Sequence, residues 1–230
     1  MFGLDDHIAS LSHGGSILIV LLVATLLGLR HATDPDHLAA VTTLMASGRE
    51  NARRRAAALG AWWGVGHALT LVVFGIPILL FEAYLPDLVQ RGAETAVAAL
   101  IVFLAVRLLL RWRHGAFAAE TGGSGSHRHP VRSPAGAFGI GVVHGMGGSA
   151  GVGVLLLAAI PSRELAVAAL LILALFTAVS MTIVTTGLGA LLGARGAKGI
   201  VAVAPALGCL SLAFGLWYAA AAWSVAPYPF

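Results

Sequence analysis

Of the 230 residues, 58% are hydrophobic and only 10% are charged, and the net charge is +4. Soluble domains carry about 25% charged residues, so this chain cannot cover a water-facing surface, and a soluble enzyme or binding module is excluded. The arginines sit in short clusters between apolar runs, which makes the basic balance a matter of membrane topology rather than of nucleic-acid binding.

The first sixteen residues are polar and carry Asp5, Asp6, His7 and His13 rather than a basic stretch. No cleavable signal peptide is expected there. The apolar runs that follow are rich in Leu, Ala, Val and Gly and lack the two-residue alternation of a barrel strand. The expected fold is therefore an all-α integral membrane protein, since helices satisfy their own backbone groups in lipid. Six spanning segments are predicted, each near or above the ~20 residues that cross a bilayer. They cover roughly residues 17–46, 56–81, 93–112, 135–160, 165–192 and 199–223. Segment 1 is long and is interrupted by the polar stretch Arg30–His37. Between segments 3 and 4, residues 113–134 form the one sizeable polar link, with Thr121-Gly-Gly-Ser-Gly-Ser126 followed by His127-Arg-His-Pro130. That composition reads as a flexible loop. The single Cys209 lies in an apolar run and forms no intrachain disulfide.

The loops after segments 1, 3 and 5 hold ten Lys and Arg, whereas the opposite loops hold only Arg91 and Arg163 beside Glu82, Asp87, Glu94 and Glu164. The positive-inside rule places the basic loops in the cytoplasm and both termini outside. The chain is then one transporter-like domain, 1–230, in the inner or plasma membrane, with a first half 1–112, a cytoplasmic His-containing loop 113–134 and a second half 135–230. The halves run in opposite senses, as a 3+3 inverted repeat requires. Gly28-Leu-Arg-His31 in segment 1 echoes Gly141-Val-Val-His144 in segment 4, while segments 2 and 5 show little to align.

The sharpest feature is Arg30-His-Ala-Thr-Asp-Pro-Asp-His37. A central Asp costs roughly 2.5–3.5 kcal/mol to insert, so two carboxylates inside a spanning segment need compensation. A divalent cation would neutralise them and accept the imidazole nitrogens of His31 and His37. On a regular helix His31 and His37 would lie roughly 120° apart. Pro35 lacks an N–H and pushes Asp34 away from helical angles, so a break is expected at Asp34-Pro35 that turns both histidines toward one point. An ordinary exposed turn is the alternative, but it leaves 38–46 too short to span. His67, in Trp62-Trp-Gly-Val-Gly-His-Ala-Leu-Thr70, is a ligand or a satisfied packing residue. Gly64 and Gly66 would let its helix approach segment 1 closely. His144 opens the glycine-rich His144-Gly-Met-Gly-Gly-Ser-Ala-Gly151 and is a second ligand across the pseudo-twofold axis, a pore-lining group or a hydrogen-bonded one. Ser180, Thr182, Thr185 and Thr186 read as helix hydroxyls bonded back to the preceding turn. His114, His127 and His129 read as loop residues with a modest capacity for metal.

At these residues the chain resembles the nickel/cobalt transporter family, whose hallmark is H-x4-D-H within R-H-A-x-D-A-D-H-I. It stands here as Arg30-His-Ala-Thr-Asp-Pro-Asp-His-Leu38. A second family stretch, a Gly-His pair followed by Thr and apolar residues, stands as Gly64-Val-Gly-His-Ala-Leu-Thr-Leu-Val-Val73. The match is nearest the short six-helix branch that includes the urease accessory nickel permeases, which is similar also around Gly141–Ser149. The L-G-F-D-T-A-T-E stretch of the longer permeases is absent. The resemblance implies that His31, Asp34, Asp36, His37 and His67 shape recognition of Ni2+ or Co2+, with the metal as transported substrate and no bound cofactor.

Imidazole suits Ni2+, Co2+, Zn2+ and Cu2+, whereas carboxylate alone suits Mg2+ or Mn2+. No G-x-x-x-x-G-K-[ST] loop is found, so secondary or facilitated uptake is expected. A metal exporter of related architecture is the alternative. A serine-protease reading of Ser149 fails for want of a later histidine as base, and H-E-x-x-H is absent. The expected partners are the metal ion and the lipid bilayer, and accessory proteins are not indicated either way.

Overall fold

The computed structural model describes residues 17–46, 52–81, 86–115, 133–147, 154, 157–194 and 196–227. Among these every regular element is a helix: α1 (Ile17–His31), α2 (Pro35–Ala46), α3 (Ala52–Phe81), α4 (Asp87–Arg113), α5 (Pro134–His144), α6 (Arg163–Ala194) and α7 (Gly196–Ala222). Five stretches are long and apolar enough to cross a membrane: Ile17–Thr42, Arg53–Phe81, Asp87–Arg113, Arg163–Leu191 and Val201–Ala222. The first of these joins α1 and α2. The predicted fourth segment is represented by the shorter apolar helix α5, and the loop with His127 and His129 lies outside the described residues, as do His7, His13 and Ser149.

Local chemistry sets the boundaries. The break in segment 1 falls at residues 32–34, with Pro35 opening α2. Proline is tolerated in a first helical turn and disfavours helical angles at the residue before it. The turn is closed by Thr33 N–H to Arg30 O at 2.8 Å and Asp34 N–H to His31 O at 3.1 Å. Segment 3 starts earlier than expected, at Asp87 directly after Pro86. An acidic first turn and Arg111 and Arg113 in the last turn both suit the helix dipole. Glu94, expected in a loop, is therefore inside α4 and is buried. Ser133 caps α5 by accepting from Gly136 N–H at 3.0 Å, with Pro134 next to it.

Helix α3 packs along α6 and α5, α1 packs along α6, α4 pairs with α7, and α2 bridges α4, α7 and α6. Helices α3 and α6 are antiparallel: a Cβ added at Gly60 would meet Thr185 Cβ at 2.8 Å, at Gly64 Ala178 O at 2.8 Å, and at Gly75 Leu170 Cδ2 at 2.8 Å. Gly64 and Gly66 do permit close approach, but to α6 and to Phe138 and Val142 of α5, not to segment 1. Bulky apolar side chains such as Leu18, Leu22 and Leu26 on α1 and Leu171, Leu175 and Val179 on α6 point outward at four-residue spacing. Such stripes suit lipid as the surrounding solvent.

Among the described residues three apolar clusters form the interior. The smallest gathers Ala39, Val97, Ala98, Ile101 and Tyr218. Of the larger two, one contains Ala32, Val41, Leu59, Trp63, Ile140 and Met181, and the other contains Val20, Ala24, Leu71, Ala169, Leu170 and Leu173. The polar groups lie in the layer between them, level with His67 on α3, which falls between Trp63 and Leu71.

Candidate metal centre

The turn at 32–34 changes the chain direction enough to bring His31 and His37 together, with ring centroids 4.5 Å apart. His67 arrives from α3 and His144 from the C-terminal end of α5. His37 is the hub, with ring centroids 5.0 Å from His67 and 4.2 Å from His144. His37, His67 and His144 are at most 2% exposed and His31 is 8% exposed, so no bulk water serves them. One nitrogen from each of His31, His37 and His67 falls within 4.8 Å of the others, and so do single donor atoms of Asp36, His37 and His144. The two trios share His37.

Asp36 is fully buried and bridges two of the rings. His37 Nδ1–H donates to Oδ1 at 3.1 Å and His144 Nε2–H donates to Oδ2 at 3.1 Å. A carboxylate only accepts, so each of these nitrogens carries its proton. That fixes the tautomers and leaves His37 Nε2 and His144 Nδ1 as lone pairs. Neither has a hydrogen-bond partner, and His67 Nδ1 also lacks one. His31 and His67 face each other Nε2 to Nε2 at 2.8 Å. Asp34 is differently engaged: Oδ1 lies 3.4 Å from Arg30 and Oδ2 lies 3.5 Å from His31 Nδ1. Arg30 therefore balances Asp34, and the charge of Asp36 faces only imidazoles. A buried carboxylate among neutral rings attracts a cation.

All six residues singled out from the sequence, His31, Asp34, Asp36, His37, His67 and His144, thus lie around one buried point. His114 caps the far end of α4 and is exposed. Trp63 was not singled out, yet it floors the cluster, stacked on His37 with ring centroids 5.9 Å apart and edge-on to His144 at 5.7 Å. Of the α6 hydroxyls, Thr182 and Thr186 do bond back to Ala178 O and Thr182 O. Ser180 instead donates to Gly28 O at 2.9 Å as well as to Thr177 O, and Thr185 Oγ1 has no partner.

A correspondence between helices was missed in the sequence. A Cβ at Gly28 would meet Leu173 O and Thr177 N, and one at Gly141 would meet Trp63 O and His67 N. In each case the glycine of a G-x-x-H stretch sits against a carbonyl and the amide four residues on. Likewise Ser180 bonds to Gly28 O, and Thr70 bonds to Val142 O at 3.1 Å. The shared signal is His67-Ala-Leu-Thr70 against Thr177-Ala-Val-Ser180, which spans too few identities to notice before the packing shows it.

The family model described as NicO, high-affinity nickel-transport protein, matches residues 17–127, the stretch that carries His31 to His67. The chain is similar to the urease accessory protein UreH of Bacillus sp. (strain TB-90), with 27% identity over 212 residues, 88% of this chain and 91% of that protein. It is similar also to the high-affinity nickel transport protein of Cupriavidus necator, with 34% identity over 94 residues, 41% of this chain and 26% of that protein. No solved structure matches it.

Proposed function

We propose that the chain, whose residues 17–127 match the family of high-affinity nickel-transport proteins, imports Ni2+, or Co2+, across the inner or plasma membrane by secondary or facilitated transport. The observation that carries this reading is the gathering of four buried imidazoles around His37, two of them hydrogen-bonded to Asp36, with three ring nitrogens left without a partner. Such nitrogens are costly in an apolar interior, and a divalent metal would satisfy them.

His31, His37 and His67 are the ligands we assign, with His144 joining them. Asp36 holds the rings of His37 and His144 and neutralises the cargo, the role outer-shell carboxylates play at metal sites. Asp34, tied to Arg30, orients His31. The close approach of His31 and His67, Nε2 to Nε2 at 2.8 Å, places two imidazole donors where one ion could take both, and imidazole suits Ni2+ or Co2+. Transport rather than catalysis is the work of this family. An exporter of related architecture is the alternative reading, and the high affinity for which the matching family is named suits scavenging uptake better.

The architecture we propose is a single domain, 1–230, of six spans with residues 135–160 as the fourth. Its halves, 1–112 and 135–230, form a 3+3 inverted repeat about the site, with both termini outside and 113–134 in the cytoplasm. Support comes from the exchanged contacts of Gly28 with α6 and Gly141 with α3, and from Gly75 against Leu170 matching Gly60 against Thr185. An inside-negative potential favours entry of a divalent ion by about 4.6 kcal/mol per 100 mV, taking ~2.3 per charge. Alternation of the two halves around the cluster then needs no nucleotide.

Purified protein in vesicles with an inside-negative potential tests the reading. Radiolabelled Ni2+ should accumulate with wild type and not with His37→Ala. Well-incorporated wild type that moves no Ni2+ or Co2+ would overturn it, and loss of preloaded Ni2+ from expressing cells would favour the exporter.

A further inference from the structure

Helical threonines usually return their hydroxyl to the carbonyl one turn back. Thr25, Thr42, Thr70, Thr95, Thr182 and Thr186 all do so here, to Leu21, Leu38, Gly66, Arg91, Ala178 and Thr182. Thr177 and Thr185 do not. Both are at most 1% exposed, and each Oγ1 is buried without a hydrogen-bond partner. They are eight residues apart on α6 with the buried Met181 midway, so the three side chains form one stripe along one face, about 12 Å long at 1.5 Å per residue.

The stripe begins at the histidine cluster. Thr177 occupies on α6 the place that His67 occupies on α3, by the matched contacts of Gly28 and Gly141. Its other end opens on a narrow cleft lined by Ala32, His37, Val41, Trp63, Met181 and Thr185, together with Val184. The cleft is nowhere wide enough for a water molecule. Yet three of its lining residues, His37, Trp63 and Thr185, carry buried polar atoms without partners: Nε2, Nε1 and Oγ1. Well-packed interiors seldom leave three such atoms beside one cleft. They fit a passage shut in this conformation and wet in another.

We propose that Thr177, Met181 and Thr185, with Trp63 and the Nε2 side of His37, line a gated passage from the histidine cluster toward the membrane face where α3 begins and α6 ends. On the transport reading above, on which this rests, that face is the cytoplasmic one and the passage is the exit. The ion leaves His37 Nε2 while gathering water. The hydroxyls of Thr177 and Thr185 face the ion or its water as acceptors, and the Trp63 indole N–H, a donor only, holds a water oxygen and not the metal. Met181 is the movable part, because its unbranched thioether changes rotamer readily.

Cysteine accessibility decides it. Cys209, the one free thiol, is exposed and is first removed as Cys209→Ala. Thr185→Cys in that background, reconstituted in sealed vesicles of known orientation, is treated with a membrane-impermeant thiol reagent during Ni2+ turnover. Labelling is expected from the cytoplasmic face only, and more slowly when turnover is stopped. In parallel, Thr185→Val should lower the Ni2+ transport rate at least several-fold, while the Kd of the solubilised protein for Ni2+ changes less than twofold. Thr185→Ser, which restores the hydroxyl, should transport nearly as wild type. Labelling from the outer face, no labelling during turnover, or wild-type transport by a well-folded Thr185→Val would overturn the passage. If wild type itself moves no Ni2+, the transport reading fails instead, and the two failures are told apart in one experiment.

Discussion

His31 and His67 approach each other Nε2 to Nε2 at 2.8 Å although they stand on different helices, α1 and α3, thirty-six residues apart. One nitrogen must donate and the other accept, so this contact holds a single proton that a metal would displace. Truncation of either ring should therefore remove a ligand and also leave the other nitrogen unpaired. His67→Ala is expected to weaken Ni2+ binding by at least 100-fold, beyond the ~10–100-fold typical of residues that only support a ligand. Titration of Ni2+ into detergent-solubilised protein measures it. An unchanged Kd would remove His67 from the site.

Asp36 acts on two rings at once, through His37 Nδ1 and His144 Nε2. Asp36→Asn keeps the shape and loses the charge. Its amide accepts one ring N–H through oxygen but presents an NH2 to the other, so one imidazole must turn or change tautomer. Ni2+ affinity should fall about 10–100-fold with the fold retained by circular dichroism. Binding within twofold of wild type would show that Asp36 neither orients the rings nor attracts the cation.

The seat of His144 depends on how closely α5 meets α3. A Cβ at Gly141 would run into the Trp63 carbonyl and stand 2.9 Å from His67 N, whereas at Gly139 it would meet nothing within 4 Å. Gly141→Ala should cost roughly 1–3 kcal/mol or more, as overpacking does, and should also shift His67 and weaken Ni2+ binding. Gly139→Ala should be neutral or stabilising by up to ~1 kcal/mol, since alanine favours a helix. Thermal unfolding of the two variants side by side makes the comparison. Equal melting temperatures would mean that the helices have room to part.

Much of the site was legible because its polar groups are so expensive in an apolar chain. His31, Asp34, Asp36 and His37 stand out of a hydrophobic run, and Pro35 announces the turn that joins them. The roles within the set were not legible. That Arg30 balances Asp34 while Asp36 bridges two histidines depends on distances across helices, which spacing along one helix does not give. Gly64 and Gly66 were correctly read as contact residues but assigned the wrong neighbour, because a small residue says that a helix comes close and not which one. Thr177 and Thr185 look like any helical threonine in a sequence, and only their missing back-bonds set them apart.

Metal and proton compete for the same lone pairs. An imidazole ligates as the neutral ring, and an unperturbed histidine takes up a proton near pH 6.5. Binding to a site of several histidines should therefore strengthen as pH rises and weaken as acid protonates the rings, with protons released on binding wherever the rings carry them. Ni2+ titrations at pH 5 and 7.5, run in two buffers of different ionisation enthalpy to count protons, test both statements. Affinity that does not fall, down to the lowest pH at which the fold survives, would rule out histidine ligation, whatever the rings are doing in the fold.

The shared position of His37 separates two jobs for the cluster. With His31 and His67 it forms a trio drawn from the first half of the chain, and with Asp36 and His144 a second trio that reaches across to α5. If the halves rock against each other during transport, His144 is the ring that changes its distance to the others, since it alone belongs to the second half. His144→Ala should then cost less resting affinity than His67→Ala, about 10–100-fold, since the trio of the first half remains. The rate of Ni2+ entry into vesicles should fall more steeply than that. His31→Ala should show the reverse weighting, with binding lost first and transport following it. Parallel loss of binding and rate in both variants would mean that the four rings act as one static site, and the motion would have to be sought elsewhere in the bundle.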